Sequence, residues 1–142
     1  MEDRHLCKAR PIGTRKQWVT GFYAVLGEKT VIIVCEPEKF YDVDSGKNSH
    51  GNKIVEVIPK TVCQCTGLKD KNGKLIWEND ILSGHIADEF PEDETRKRVL
   101  WHENGWCTNE PGCDYYEELD DFDSENFEVI GNMIDNPELL DV

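Results

Sequence analysis

The chain has 142 residues, of which 38% are apolar and 32% charged, and its formal net charge is −13. This length suits one domain with a real core. No apolar run approaches the ~18 residues of a membrane span, and no signal-like apolar segment follows Met1. We therefore expect a soluble cytoplasmic protein with no membrane partner.

The charge is unevenly distributed along the chain. Residues 1–98 contain all 16 basic residues and 16 acidic ones, whereas the last 44 residues contain the other 13 acidic residues and no Lys or Arg. Affinity for nucleic acid comes mainly from basic side chains that neutralise phosphates, so this balance disfavours DNA or RNA as a direct ligand. The acidic end either solvates the protein or forms a face that binds a basic protein.

The first part of the chain is predicted to be β-structure. A hairpin turned at Gly27-Glu28 is predicted from the alternating stretch QWVTGFYAVL and the apolar run KTVIIVCE. An exposed loop is expected over DVDSGKNSHGNK, and a short strand over IVEVI, ending at Pro59. A further strand begins in TVCQCTGL.

Two turns are predicted between residues 66 and 82. The segment Asp70-Lys71-Asn72-Gly73 favours a β-turn, and Glu78-Asn79-Asp80 favours a second turn with Asn79 in the left-handed region. The charges of these turns, at positions 69, 70, 71, 74, 78 and 80, are interpreted as lying on turn surfaces. They are either merely solvated or part of a binding surface, since loops carry many binding residues.

The remainder of the chain is predicted to contain three more strands. SGHIADEFPEDETRK favours a loop, and RVLWHENGWCT favours two strands around Asn104-Gly105, a strong hairpin signal. The acidic stretch that follows is predicted to be irregular, with at most one short, uncapped helical turn near residues 119–124. FEVIGNMI predicts a final strand broken by Gly131, and DNPELL a terminal turn whose two leucines cover the end of the fold.

The sequence contains no recognisable catalytic motif, so we expect no enzyme activity and no cofactor. Its four histidines lie apart, and His102, beside a hairpin and two Trp, is the best candidate among them. Zinc ligation by His102, Cys107 and Cys113 is an alternative, and Cys63 and Cys65 also supply thiols. The thiol spacings differ from the usual C-x₂₋₄-C pattern, which favours structural cysteines and no metal.

Two segments, QCTGLKDKNGKLIWENDIL and FEVIGNMIDNPELL, resemble the YopX family, small proteins encoded by bacteriophages and prophages. The resemblance extends over nearly the whole chain. Asn79 stands where the family usually has Gly, and Cys65 where an aromatic residue is common. The resemblance implies an all-β fold, with an N-terminal β-meander, a C-terminal SH3-like small barrel, little helix, and assembly into homo-oligomers. It implies no activity, because the family's biochemical role is unassigned.

These observations lead to a functional hypothesis. We expect a single YopX-like domain over residues 1–142, with a β part over about 1–60 and a barrel part over about 61–142. It would be a non-enzymatic phage or prophage accessory protein that binds a basic host or phage protein in the host cytoplasm. The alternative is a regulator that binds nucleic acid or mimics it. The candidate binding residues are Lys69, Asp70, Lys71, Lys74, Trp77, Asp114, Glu117, Glu118, Asp120, Asp121 and Asp123.

Overall fold

A computed structural model describes residues 2–13, 17–35, 41–42, 47–48, 52–86 and 93–141. Strands dominate these residues and the one α-helix among them is short, so the predicted all-β class is confirmed. The chain divides into two compact units, His5–Gln64 and Met1–Arg4 with Cys65–Val142. The elements are β1 (Cys7–Ala9), β2 (Val19–Leu26), β3 (Lys29–Cys35), β4 (Tyr41–Asp42), β5 (Lys47–Asn48), β6 (Asn52–Glu56), β7 (Cys63–Lys69), β8 (Leu75–Trp77), β9 (Asp80–Gly84), β10 (Thr95–His102), β11 (Gly105–Asn109), β12 (Glu117–Glu118), α1 (Asp121–Asn126) and β13 (Phe127–Asn132).

The N-terminal unit contains an antiparallel meander. Its strands lie in the order β6-β3-β2-β1, and β1 also pairs with the start of β7. The predicted two-residue turn is confirmed, since Leu26 pairs with Lys29 and Gly27 has a φ of 67°. Ala9, Ile32 and Val57 form the core of this unit.

The loop predicted over residues 42–53 lies partly outside the described residues. Its described part contains the short strands β4 and β5, which pair with each other, and the start of β6.

The C-terminal unit contains a five-stranded antiparallel sheet in the order β12-β11-β10-β9-β13, together with the β7-β8 pair. Its core consists of Ile76, Leu82, Val99, Leu119 and Phe127. Within the described part of the chain, the edge strands β12 and β13 do not pair with each other, so the sheet is open. The SH3-like barrel expected for this unit is therefore not confirmed.

Two connections in this unit differ from their predictions. The loop between β9 and β10 is shorter than expected, because residues 83–84 and 95–97 belong to those strands; residues 87–92 lie outside the described residues. The β10-β11 turn consists of Glu103 and Asn104, one residue earlier than predicted. The register that pairs buried Val99 with buried Thr108 decides this position. Glu103 therefore adopts a left-handed backbone conformation, with a φ of 57°.

Helix α1 is also better defined than predicted. Asp120 caps its N-terminus, accepting hydrogen bonds from the backbone of Phe122 at 3.1 Å and of Asp123 at 3.4 Å. The Asp123 side chain accepts in return from the Asp120 backbone at 3.2 Å, which completes a capping box. The expectation of an uncapped turn was wrong, because Asp123 fills the third helical position of the capping box, where Glu or Gln is usual.

Thr108 offers a test of how the core is built. Its side chain is 1% exposed, and its hydroxyl has no hydrogen-bond partner among the described residues. Burial of an unpaired hydroxyl is unfavourable, whereas valine has almost the same shape. We expect Thr108→Val to raise the free energy of unfolding by about 1 kcal/mol in urea denaturation.

Thr66 provides the matched control for this substitution. It is 4% exposed, but its hydroxyl donates to the carbonyl of Ile76 at 2.7 Å and accepts from the backbone of Leu68 at 3.1 Å. Thr66→Val should therefore lower the free energy of unfolding. A destabilising effect of both substitutions would contradict the assignment of Thr108 as unpaired.

Candidate functional site

Asp70 is a buried structural residue, and its predicted exposure on a turn surface was wrong. Its side chain is 6% exposed and accepts three backbone hydrogen bonds, each of 2.9 Å, from Asn72, Lys74 and Val129. Burial raises the pKa of Asp70, but these hydrogen bonds and the Lys74 charge together lower it below its ordinary value. The carboxylate thus holds the turn at residues 70–74 against β13.

The second predicted turn is a structural feature as well. Asn79 has a φ of 72°, as predicted, and its backbone joins Val99 and Met133 through hydrogen bonds of 2.8 Å. Asp80 is 2% exposed and accepts from the backbone of Trp77 at 2.8 Å. Asp80 therefore also departs from the predicted surface position. Trp77 is 8% exposed and is not available as a surface aromatic.

The remaining candidates around these turns are lysines. Lys69, Lys71 and Lys74 are exposed; Lys69 ends β7, and Lys71 and Lys74 follow in the adjoining turn segment. Asn72 between them donates to Glu128 at 3.1 Å, which places a carboxylate beside the lysines. The structure thus groups the three lysines without the aromatic side chain that was expected to accompany them.

Asp123 is likewise buried. It forms an ion pair with Lys97, and both side chains are less than a tenth exposed. The Lys97 ammonium also lies 4.3 Å from the centroid of the Phe127 ring. Asp123 is therefore part of the interior of the C-terminal unit, and its predicted place on a binding surface was wrong.

The other acidic candidates are exposed, and some of them surround a cavity of about 350 Å³. Glu117 and Glu118 on β12 line this cavity together with Asp120, whereas Asp114 and Asp121 are not among its lining residues. Sequence reasoning missed Glu110, which also lines it. The sequence signal that could have found Glu110 is its position, because it directly follows β11, the strand that pairs with β12.

The cavity has apolar walls, and its lining also includes one pair of opposite charges. Ile86 and Phe122 are 63% and 46% exposed, and buried Phe127 lines the interior. The Lys97–Asp123 pair is also among the lining residues, so this lysine already has a carboxylate partner. We call the four carboxylates around this cavity, Glu110, Glu117, Glu118 and Asp120, the acidic face.

The thiols and histidines do not assemble a metal centre in the part of the chain that is described, where no three His, Cys, Asp or Glu are placed to hold an ion. Cys63 and Cys65 are buried. The pKa of Cys107 is raised by burial and by the charges of Glu118 and Glu103, which disfavours the thiolate that zinc requires. Within the same described residues, no helix is long and apolar enough to cross a bilayer.

Comparison with known families identifies the chain. Residues 27–141 match the family described as YopX protein. The chain belongs to the YopX family. The hydrogen bonds of Asp70, Asn79 and Asp80 thus describe how one YopX protein builds its core.

A solved structure similar to the YopX chain is described as the crystal structure of protein EF1440 from Enterococcus faecalis. The two are 22% identical, with 93% of this chain and 74% of that chain covered, and a TM-score of 0.39. No curated protein matches the chain.

The final segment of the YopX chain, residues 131–140, is also held by side-chain to backbone contacts. Asn132 accepts hydrogen bonds from Ile134 at 3.0 Å and Asp135 at 2.8 Å. A Cβ on Gly131 would lie 2.8 Å from both the side-chain Oδ1 of Asn136 and a methyl group of Leu139. This close approach explains the glycine at a bulge of β13.

Asp70 makes a prediction about acid stability. Asp70→Asn puts an amide NH₂ against a backbone donor, so it should lower the free energy of unfolding at pH 7 by about 2 kcal/mol. Because the folded pKa lies below the unfolded value of 3.8, the stabilisation is present above about pH 5 and lost as pH falls through the folded pKa. Urea denaturation from pH 2 to 7 measures both effects.

The exposed Asp114 serves as the control for Asp70, since Asp114→Asn removes the same charge without a buried acceptor. The two variants should differ strongly at pH 7, and the difference should narrow as pH falls through the folded pKa of Asp70. Equal stability of the two variants at pH 7 would contradict the role assigned to Asp70.

The buried ion pair makes a second prediction. Lys97→Met or Asp123→Leu alone leaves one buried charge without its partner, at a cost of about 3 kcal/mol or more. The double variant removes both charges, so it should be more stable than either single variant, as measured by thermal and urea unfolding. Because Asp123 also belongs to the capping box, Asp120→Ala measures the capping contribution separately. Additive losses in the double variant would contradict a coupled pair.

Proposed function

We propose that this YopX protein is a non-enzymatic phage or prophage accessory protein that binds a basic segment of a partner protein in the bacterial host cytoplasm. The observation that carries the proposal is the acidic face around its partly apolar cavity. Its carboxylates come from the end of β11, from β12 and from the cap of α1. Three chain segments thus place negative charge around one concavity.

Electrostatics support a cationic partner. The last 44 residues of the chain contain 13 acidic residues and no basic one. Lys97 is paired with Asp123 and adds little positive field. Complementary charge speeds association and selects partners, although exposed charges are screened beyond ~8 Å at physiological salt.

The apolar walls support a polypeptide as the occupant rather than a simple cation. Exposed Ile86 and Phe122 offer contact to aliphatic groups. Lysine and arginine combine a charged head with an apolar stem, so their side chains match a cavity that presents both surfaces.

Other properties agree with this role. Asp70, Asn79 and Asp80, in the segment that resembles the family, serve in backbone hydrogen bonds that build the fold. Cys107 and Cys113 are free thiols, as suits a reducing compartment. Exposed Phe22 and Ile54 in the N-terminal unit support self-association into a homo-oligomer.

Direct binding of nucleic acid is less well supported. Lys69, Lys71 and Lys74 are exposed together, but Trp77 is buried and cannot stack on a base. Mimicry of nucleic acid uses the same acidic face as the main proposal. It would be distinguished by a partner that DNA displaces.

The test is calorimetric titration of the full chain with an octalysine peptide at 150 mM salt. Glu110→Gln combined with Glu117→Gln removes two charges from the acidic face. We expect this variant to raise Kd about tenfold, because it removes two close charge pairs.

Asp114→Asn combined with Glu125→Gln is the matched control, since it removes the same net charge from exposed residues that do not line the cavity. We expect it to change Kd less than about twofold. Equal weakening by both pairs would indicate non-specific attraction, and absence of binding to the wild type would also overturn the proposal.

A further inference from the structure

A second cavity, of about 490 Å³, lies in the C-terminal unit at the end of the β10-β11 hairpin. Its lining includes the hairpin residues 102–107 and, from the segment around β12, Tyr116, Glu118 and Leu119. Leu119 is held there because its backbone donates to the Trp106 carbonyl at 3.0 Å. Backbone hydrogen bonds thus hold the hairpin and the segment around β12 side by side, and the cavity lies between them.

Aromatic rings in and beside this cavity have defined positions. Trp106 pairs with Trp101 across the hairpin, and their rings meet edge-on with centroids 5.1 Å apart. The ring of Tyr116 stacks on His102 at 4.0 Å with an interplanar angle of 22°. Tyr116 is nevertheless 40% exposed, so part of its surface is available to a ligand.

The electrostatic environment of the cavity is negative. Glu103 and Glu118 line it, and no lysine or arginine does so among the residues that the structure describes. Besides burial, these two carboxylates raise the pKa of Cys107, another lining residue. Their field therefore reaches the groups that line the cavity.

We propose that this cavity binds the guanidinium group of an arginine side chain. A guanidinium is planar, stacks on aromatic rings and donates two parallel hydrogen bonds to a carboxylate, and it is more weakly hydrated than an ammonium group. Tyr116 and Trp106 offer the aromatic surface, and Glu103 and Glu118 the acceptors. Leu68 and Leu119 offer apolar contact for the methylene stem.

This inference deepens the proposed function and rests on it for the source of the arginine. Glu118 lines both this cavity and the one within the acidic face. A basic segment can therefore place one side chain in each cavity. The arginine cavity adds recognition of side-chain shape to the charge attraction of the acidic face.

Gly105 provides a steric test of the cavity. It lines the cavity, and a Cβ added to it would meet no atom within 4 Å. Its φ is not in the left-handed region, so a β-branched residue is compatible with its position in β11. Gly105→Val would add bulk opposite His102, at a position where the added Cβ has open space.

The experiment uses the ¹⁵N-labelled full chain and two probes, N-acetyl-arginine amide and N-acetyl-lysine amide, in NMR titrations at 150 mM salt. We expect the arginine probe to shift the Trp106 indole signal and the amide signals of residues 102–107 and 116–119. The lysine probe should bind about fivefold more weakly, because it lacks the stacking and bidentate contacts.

Tyr116→Ala should weaken the arginine probe about fivefold, and Gly105→Val should do so at least as much. Tyr115→Ala is the control, since Tyr115 is adjacent and 59% exposed but does not line the cavity. The proposal is overturned by equal affinity for the two probes, by shifts confined to the acidic face, or by full binding to the Tyr116 and Gly105 variants.

The experiments distinguish failure of the acidic-face proposal from failure of the arginine-cavity proposal. Octalysine binding that depends on Glu110 and Glu117, without a preference for the arginine probe, leaves the acidic face in place and removes the arginine cavity. Arginine binding at Tyr116 without octalysine binding gives the opposite outcome.

Discussion

The carboxylate of Asp70 is the interaction on which the C-terminal unit depends. One oxygen closes the turn at residues 70–74 by accepting from two backbone N–H groups, and the other accepts from Val129 in β13. A local turn is thereby joined to a strand 59 residues away. A buried carboxylate is favourable only when such donors replace its lost hydration, and here three backbone groups do so. The same contact sets β13 against the turn, while β13 pairs with β9.

Residues that position the strands can be distinguished from residues that face solvent or a cavity. The segments whose sequence resembles the YopX family supply buried acceptors, a left-handed Asn79 and the bulge at Gly131, all of which position strands. The acidic stretch behaves differently. Asp123 pairs with Lys97 in the interior and Asp120 caps α1, whereas neighbouring Glu117 and Glu118 face cavities. The same acidic stretch therefore stabilises the unit and presents charge to a partner.

Sequence reasoning succeeded where local chemistry decides the structure. Gly27, Gly73 and Asn79 mark turns because their backbone conformations are locally favoured, and strands follow from alternation and β-branched residues. It failed for Asp70, Asp80 and Asp123, because the sheet that buries them is formed by segments far apart in the sequence. The shift of the β10-β11 turn has a similar cause, since pairing of Val99 with Thr108 outweighs the preference of the turn residues.

The sequence by itself determined the β class, most turn positions, the family and the concentration of negative charge at one end, because these depend on residue type and spacing. Only the tertiary structure decided which charges are buried, which carboxylates meet Phe122 at one cavity, and which meet Tyr116 at another. Composition counts every carboxylate equally. Desolvation and the nearest donor determine whether a given carboxylate holds the fold together or faces solvent.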